Sequence, residues 1–207
     1  MANVGRWQAG AGDRLERAAF ELFIEQGFAE TTVPQITARA GLTTRTFFRH
    51  FADKRAVLFA VEEEFPALAA KLIADAPASL PPMMVITEGL VNVAVTRLDG
   101  QLEYLRTRRA VIEADEGLRE RELRKLSVLA EAIREGFLNR GVDELTSTLA
   151  AQIAVTAFNV AVNRWLDHDS DRPLHDIVHD TLAALRAVTA DPAPPSHDAR
   201  SWLPWRT

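Results

Sequence analysis

The sequence of 207 residues contains no cysteine and only one tyrosine. The lack of cysteine excludes disulfides, thiolate metal sites and cysteine nucleophiles, and fits a reducing cytoplasm, the expected location. No continuous run of about 18 apolar residues is present, and the opening Met1-Ala2-Asn3-Val4-Gly5-Arg6-Trp7 has no apolar signal core. Neither membrane insertion nor secretion by that route is expected. Glycine-rich phosphate loops, His-Glu-x-x-His spacing and a serine or threonine with a local His/Asp partner signature are also missing, so no catalytic residues, resident cofactor or enzyme activity are expected. What is present is an ordinary folding composition, 47% apolar and 26% charged. The formal charge of −5 is unevenly spread. Residues 1–56 carry eight basic and six acidic side chains, whereas the remainder holds 16 basic and 23 acidic ones. A basic end on an acidic chain points to two jobs, one of them involving a polyanion.

No segment reads as a strand, because the valines fall at helical spacing within stretches rich in alanine and leucine. The expected fold class is all-α. A first helix is predicted from about Asp13 to Gln26, with Leu15, Ala19, Leu22 and Phe23 on one face and Gly27 as its stop. Thr32 followed by Gln35 is a capping box, with Pro34 tolerated in the first turn of a second helix that ends at Gly41. Thr43 caps a third helix, Thr44 to about Phe51. Asp53 caps a fourth, which presents Val57, Leu58, Val61, Phe65, Leu68 and Leu72 inward. A break is expected at Ala76-Pro77-Ala78-Ser79-Leu80-Pro81-Pro82, and longer helices at about 82–98, 101–114, 117–139, 144–167 and 174–189. The predicted organisation is a first domain over 1–56, a connecting helix over 57–75, a second domain over 76–190 and a Pro-rich flexible tail over 191–207.

Gln35 to Phe51 is a short helix, a glycine-containing turn and another short helix. Packing Ile36 and Ala40 against Leu42, Phe47 and Phe51 sets the two at a steep angle, as in a helix-turn-helix. Thr44, Arg45, Phe48 and Arg49 then point away from that core, with Thr43 and Thr46 near the helix start. Hydroxyls and free amides at a helix N-terminus grip phosphate, and arginine reads guanine edges. Short helix pairs also occur in bundles that touch no DNA, so a helical interaction protein is the rival reading.

Gly27-Phe28, the run Thr31-Thr32-Val33-Pro34-Gln35-Ile36-Thr37-Ala38-Arg39-Ala40-Gly41-Leu42-Thr43 and its continuation Thr46-Phe47-Phe48-Arg49-His50-Phe51-Ala52-Asp53-Lys54-Arg55-Ala56-Val57-Leu58 resemble the tetracycline-repressor (TetR) family over roughly residues 14–60. The resemblance implies a homodimeric, ligand-responsive transcription factor, usually a repressor. It would bind double-stranded operator DNA through its N-terminal domain and a small molecule through its C-terminal one. Carried over residue by residue, Thr32 matches a phosphate-holding position. Thr43, Thr44, Arg45 and Thr46 match the recognition helix, with Arg45 as the base-contact candidate. His50 and Lys54 match phosphate-contacting positions. Phe48 departs from the family's usual tyrosine, and is left to pack on sugar or a thymine methyl. Arg6 and Arg14 are candidates for an N-terminal arm, beside a plain solvated reading, and Arg39 and Arg55 stay open.

Leu145–Leu166 is apolar on more than one face, with Leu149, Ile153 and Val160 on one line and Phe158, Val162 and Trp165 on another. Such a helix needs both a core and a second partner. The resemblance makes that partner the mate's last two helices, and two-fold symmetry then predicts a palindromic operator. Met84, Tyr104, Phe137, Phe158 and Trp165 are candidates for an apolar effector pocket, with Met83 beside them and Arg108, near Arg106 and Arg109, for an anionic group. Asn163-Arg164-Trp165-Leu166-Asp167 with Pro173-Leu174 resembles mycofactocin-regulator-type members, which extends the effector candidates from aromatic or apolar molecules to an acyl thioester. His175 and His179, one turn apart among Asp167, His168, Asp169, Asp171, Asp176 and Asp180, define a metal-responsive alternative. Capping aspartates and polar interface residues account for the same set, so no metal is expected.

Overall fold

The computed structural model describes residues 10–60, 63–167 and 172–190, which form helices and no strand. Helix α1 (Ala11–Gln26) buries Leu15, Ala18, Ala19, Leu22 and Phe23 at helical spacing. α2 (Val33–Ala40) begins at the Thr32–Gln35 capping box, with Pro34 in its first turn. It ends at Gly41, whose φ of 63° is the left-handed conformation that glycine adopts without a Cβ penalty. α3 (Thr44–His50) starts on Thr43 and α4 (Lys54–Phe59) on Asp53, each side chain accepting the amide three residues ahead. Ile36, Ala40, Phe47 and Phe51 close one core with α1, and Leu42 packs at its edge. That core is sealed by residues from much later in the chain: Val111, Ile112 and Leu118.

The fourth helix differs from its prediction. A continuous helix through 57–75 is interrupted after Phe59, and α5 (Phe65–Asp75) restarts with Pro66 in its first turn. Proline lacks the amide a continuing helix needs and clashes with the carbonyl four residues back, so the sequence carried the break at Pro66. Val57 and Leu58 are buried as expected, Phe65, Leu68 and Leu72 are half-buried because they face cavities, and Val61 lies outside the described residues.

The later helices follow the predicted order closely. α6 (Pro82–Val93) runs into a π-helical turn at Ala94–Leu98, and α7 (Leu102–Glu113), α8 (Glu116–Asn139), α9 (Glu144–Asp167) and α10 (Leu174–Thr189) complete the bundle. α8 packs against α5 with Gly136 beneath Ile73, where a Cβ would lie 3.1 Å from Ile73 Cδ1. α9 is long and apolar enough to cross a membrane by length and composition alone. In this fold its alanine stripe (Ala150, Ala154, Ala157, Ala161) is buried against neighbouring helices, while Leu145 and Leu149 remain 70% and 54% exposed.

Phe47 is wholly buried between Phe48 and Phe51, with ring centroids 5.4 and 5.5 Å away. Phe47→Ala is expected to lower stability by about 3–5 kcal/mol, read as a shifted urea unfolding midpoint.

Candidate nucleic-acid interface

The turn between α2 and α3 is fixed from three sides. Gly41 N–H donates back to Ala38 and Thr37 carbonyls, and Arg14 of α1 donates through Nη2 to the Ala40 carbonyl. Arg39 reaches back to α1, where its two terminal nitrogens meet the Glu25 carboxylate at 2.9 and 2.7 Å and Glu21 lies 3.4 Å away. These hydrogen bonds, Glu25's first, hold the Arg39 pKa above its ordinary value. Arg14 and Arg39 are therefore engaged in packing helices, which decides two side chains that the sequence left open. Arg6 lies outside the described residues.

With its inner face held by Phe47, α3 presents Thr44, Arg45, Phe48 and Arg49 to solvent. Phe48 is 59% exposed, although its ring edge packs on Phe47. Thr43 caps the helix by accepting the Thr46 amide at 3.1 Å, and the two hydroxyls lie 3.0 Å apart. Thr32 is exposed at the start of α2, its Oγ1 donating to Gln35 Oε1 at 2.8 Å. His50 is exposed at the end of α3, on the side of Gly12. Arg45 and Arg49 make no ion pair among the described residues, which leaves their guanidinium groups unneutralised.

Lys54 is placed otherwise than a phosphate contact requires. Its ammonium donates to the carbonyls of Phe28, Ala29 and Thr31 at 2.7, 3.0 and 2.8 Å, and lies 4.4 Å from the centre of the Phe28 ring. Burial, and then Arg55, lower its pKa. All three ammonium donors are thus spent on the loop that delivers Thr32, and Lys54 positions that loop from inside.

Residues 16–61, which hold all of this geometry, match the family model for bacterial regulatory proteins of the tetR family. The chain is 40% identical over 95 residues to the HTH-type transcriptional regulator TcmR of Streptomyces glaucescens, an alignment covering 44% of this chain and 40% of TcmR. Residues 16–61 are thus a TetR-type N-terminal domain. It is also 36% identical over 56 residues to the putative mycofactocin biosynthesis transcriptional regulator MftR of Mycobacterium tuberculosis, covering 27% of this chain and 28% of MftR. The chain therefore matches well under half the length of either relative. Over most of the chain's length the likeness is one of fold. NalD, the secondary repressor of the MexAB-OprM multidrug efflux pump in Pseudomonas aeruginosa, superimposes with a TM-score of 0.61 at 19% identity, over 86% of this chain and 95% of NalD.

Behind this TetR-type head, α5 to α9 enclose two adjoining cavities. The larger, about 370 Å³, opens between α7, α8 and α9, and the smaller, about 70 Å³, lies between α5, α6, α8 and α9. Of the side chains expected to line a pocket, Phe158 faces both, Phe137 the smaller and Arg108 the larger. The other three are placed elsewhere. Met84 is 47% exposed, Trp165 is buried in the core shared with α10, and Tyr104 stacks on Phe20 and donates its hydroxyl to Glu16 at 2.7 Å. Helical periodicity marks a side chain as inward but does not separate packed core from cavity wall.

Arg108 is only 6% exposed and faces both halves of the molecule. Its Nε donates to the Leu58 carbonyl of α4 at 2.7 Å, its Nη2 meets the Glu122 carboxylate at 2.9 Å, and its guanidinium lies 5.1 Å from the Phe59 ring centre. Glu122, Lys125 and the Leu58 carbonyl were missed in the sequence, where Glu122 reads as ordinary charged surface of a long helix. At the other end of the bundle, His168, Asp169 and Asp171 lie outside the described residues. His175 Nε2 stands 3.5 Å from Asp176 Oδ1, and the described residues contain no cluster of three metal-ligating side chains.

Burial pushes the Glu122 carboxyl upward, but Arg108 and Lys125 outweigh it and bring its pKa below the ordinary 4.5. A depressed carboxylate pKa contributes stability that is present above the unfolded value and is lost as pH falls through the folded one. Urea midpoints measured from about pH 7 to about pH 3 should therefore fall less steeply on the acid side for Glu122→Gln than for the parent chain.

Proposed function

We propose that this chain is a cytoplasmic transcriptional regulator that binds a palindromic operator as a homodimer, acts as a repressor, and is released by a small apolar or amphipathic effector. The observation that carries the reading is the outer face of α3. Two unneutralised arginines, a line of threonines and an exposed phenylalanine stand on a helix whose opposite face is locked by Phe47. A rigid helix with hydroxyls at its start and arginine on its outer face suits insertion into a major groove. In this reading Thr32, Thr43, Thr44, Thr46 and His50 meet the phosphate backbone, Arg45 reads a base edge, and Phe48 packs on sugar or a thymine methyl.

The dimer is supported by Leu145, Leu149 and Val160 on α9 and Val188 on α10, large apolar side chains that stay exposed on the last two helices. Large apolar side chains left exposed on two helices that pack together suit cover by a partner, and a two-fold partner is the simplest one. An effector is supported by the two cavities and their mainly apolar walls. The N-terminal helices form the reading domain and the later bundle the effector and dimer domain.

Selection of bound duplexes from a random pool should enrich a palindrome whose affinity falls steeply with salt. Arg45→Ala should weaken binding by about 1–3 kcal/mol and relax preference at one base position per half-site. Enrichment of no sequence, or binding indifferent to the substitution, would favour a helical interaction protein.

A further inference from the structure

Helix α6 contributes Val85, Ile86, Gly89, Leu90 and Val93 to the wall of the smaller cavity. Their spacing is that of one helical face, and every position on it but one carries a large apolar side chain. The exception, Gly89, stands in the interior of the helix, where glycine costs stability relative to alanine. Close packing does not require it. At Gly136 an added Cβ would lie 3.1 Å from Ile73 Cδ1, whereas at Gly89 it would meet no atom of another helix within 4 Å. Backbone conformation does not require it either, since Gly89 is not one of the glycines with positive φ. The side chain missing from the stripe instead borders a space of about 70 Å³.

The rest of the wall is aliphatic or aromatic, with Ile133 and Phe137 of α8 and Phe158 of α9 among its members and no polar or charged side chain in the lining. A hydroxyl, carbonyl or charged group seated there gives up its hydrogen bonds to water and meets no side chain that replaces them. A hydrocarbon group loses nothing of the kind and gains dispersion contacts on every side. An apolar cavity of about 150 Å³ stays dry and holds a six-carbon ring, so a space about half as large suits roughly four heavy atoms. Resting on the effector reading above, we infer that the smaller cavity seats an uncharged hydrocarbon group of about four heavy atoms, and that Gly89 sets the size of that group. A larger residue at position 89 would place its own side chain where the group sits.

The test uses the full chain with carbon-13 labelled Ile, Leu and Val methyls, titrated with isobutene, acetone and acetate. The three probes share one trigonal shape and differ in the polar atoms they carry. Isobutene should shift the methyls of Val85, Ile86 and Leu90 saturably, and acetone and acetate should reach the same methyls at least roughly tenfold more weakly, the cost of an unmade hydrogen bond. Gly89→Ala should raise the urea unfolding midpoint and weaken isobutene severalfold; Gly89→Leu should abolish its binding. Equal occupancy by the three probes, no shift of those methyls by isobutene, or isobutene binding indifferent to both substitutions overturns the inference. If the leucine variant does not fold, the alanine variant decides.

Anisotropy of the selected operator duplex then separates the two sources of the group. Release by isobutene makes it the whole effector. Release only by longer 2-methyl-1-alkenes, from the pentene to the heptene, makes it the end of a larger one. Occupancy of the cavity with release by none of them removes the effector reading and leaves the hydrocarbon seat in place. A chain that binds no duplex fails the DNA-binding reading, and the methyl titration still decides the seat.

Discussion

A helix of six residues cannot sustain itself, because too few internal hydrogen bonds form to offset the cost of nucleating it. α4 is such a helix, and both halves of the molecule depend on it. At its start Asp53 accepts the Ala56 amide at 2.7 Å, and Lys54 reaches out to three carbonyls of the preceding loop. Toward its end the Leu58 carbonyl takes its donor from Arg108, fifty positions along the chain. Ala56, Val57, Leu58 and Phe59 are all buried, so apolar packing supplies the rest of its stability. α4 is thus a short strut, about 9 Å long at 1.5 Å per residue, tied at one end to the loop before α2 and at the other to a cavity wall.

The same economy of local structure is seen around α2 and α3, with eight and seven residues. Each begins at a threonine cap, and Gly41 sets the turn between them. Arg14 and Arg39 from opposite sides fix that turn to α1. What is left over on the outer surface, Arg45 and Arg49 above all, is charge with no partner among the described residues. Structural arginines and outward-facing arginines are therefore sorted by geometry within one short segment, and only the second group suits the proposed contact with DNA.

In the later bundle, small residues set the spacing. Gly136 lets Ile73 of α5 approach α8, and the alanine stripe of α9 brings neighbouring helices close. Where larger side chains line the gaps between α5, α6, α7, α8 and α9, two adjoining cavities remain. One guanidinium, Arg108, both lines the larger cavity and donates to the α4 carbonyl of Leu58.

Helical periodicity, the Thr32–Gln35 box, Thr43, Gly41 and the proline-rich break were all legible in the sequence, because helix starts and stops are set by side chains within a few positions of the backbone they cap. The order and limits of the long helices followed for the same reason, and the one misread boundary, at Pro66, was itself a local signal passed over. The roles of Lys54, Arg14, Arg39 and Arg108 were not legible. A long cation reads the same whether it faces phosphate, a carboxylate or a distant carbonyl, and the partners that decide lie 14 to 50 positions away. Nor could apolar spacing tell Phe137 and Phe158, which line cavities, from Trp165, which fills a core. The sequence by itself determined the all-α class, the helix-turn-helix and its outward face, since local capping and burial dictate these. Only the tertiary structure decided which charges are spent on packing, where the cavities lie and that Arg108 ties a cavity wall to α4, since each depends on side chains meeting across helices far apart in the chain.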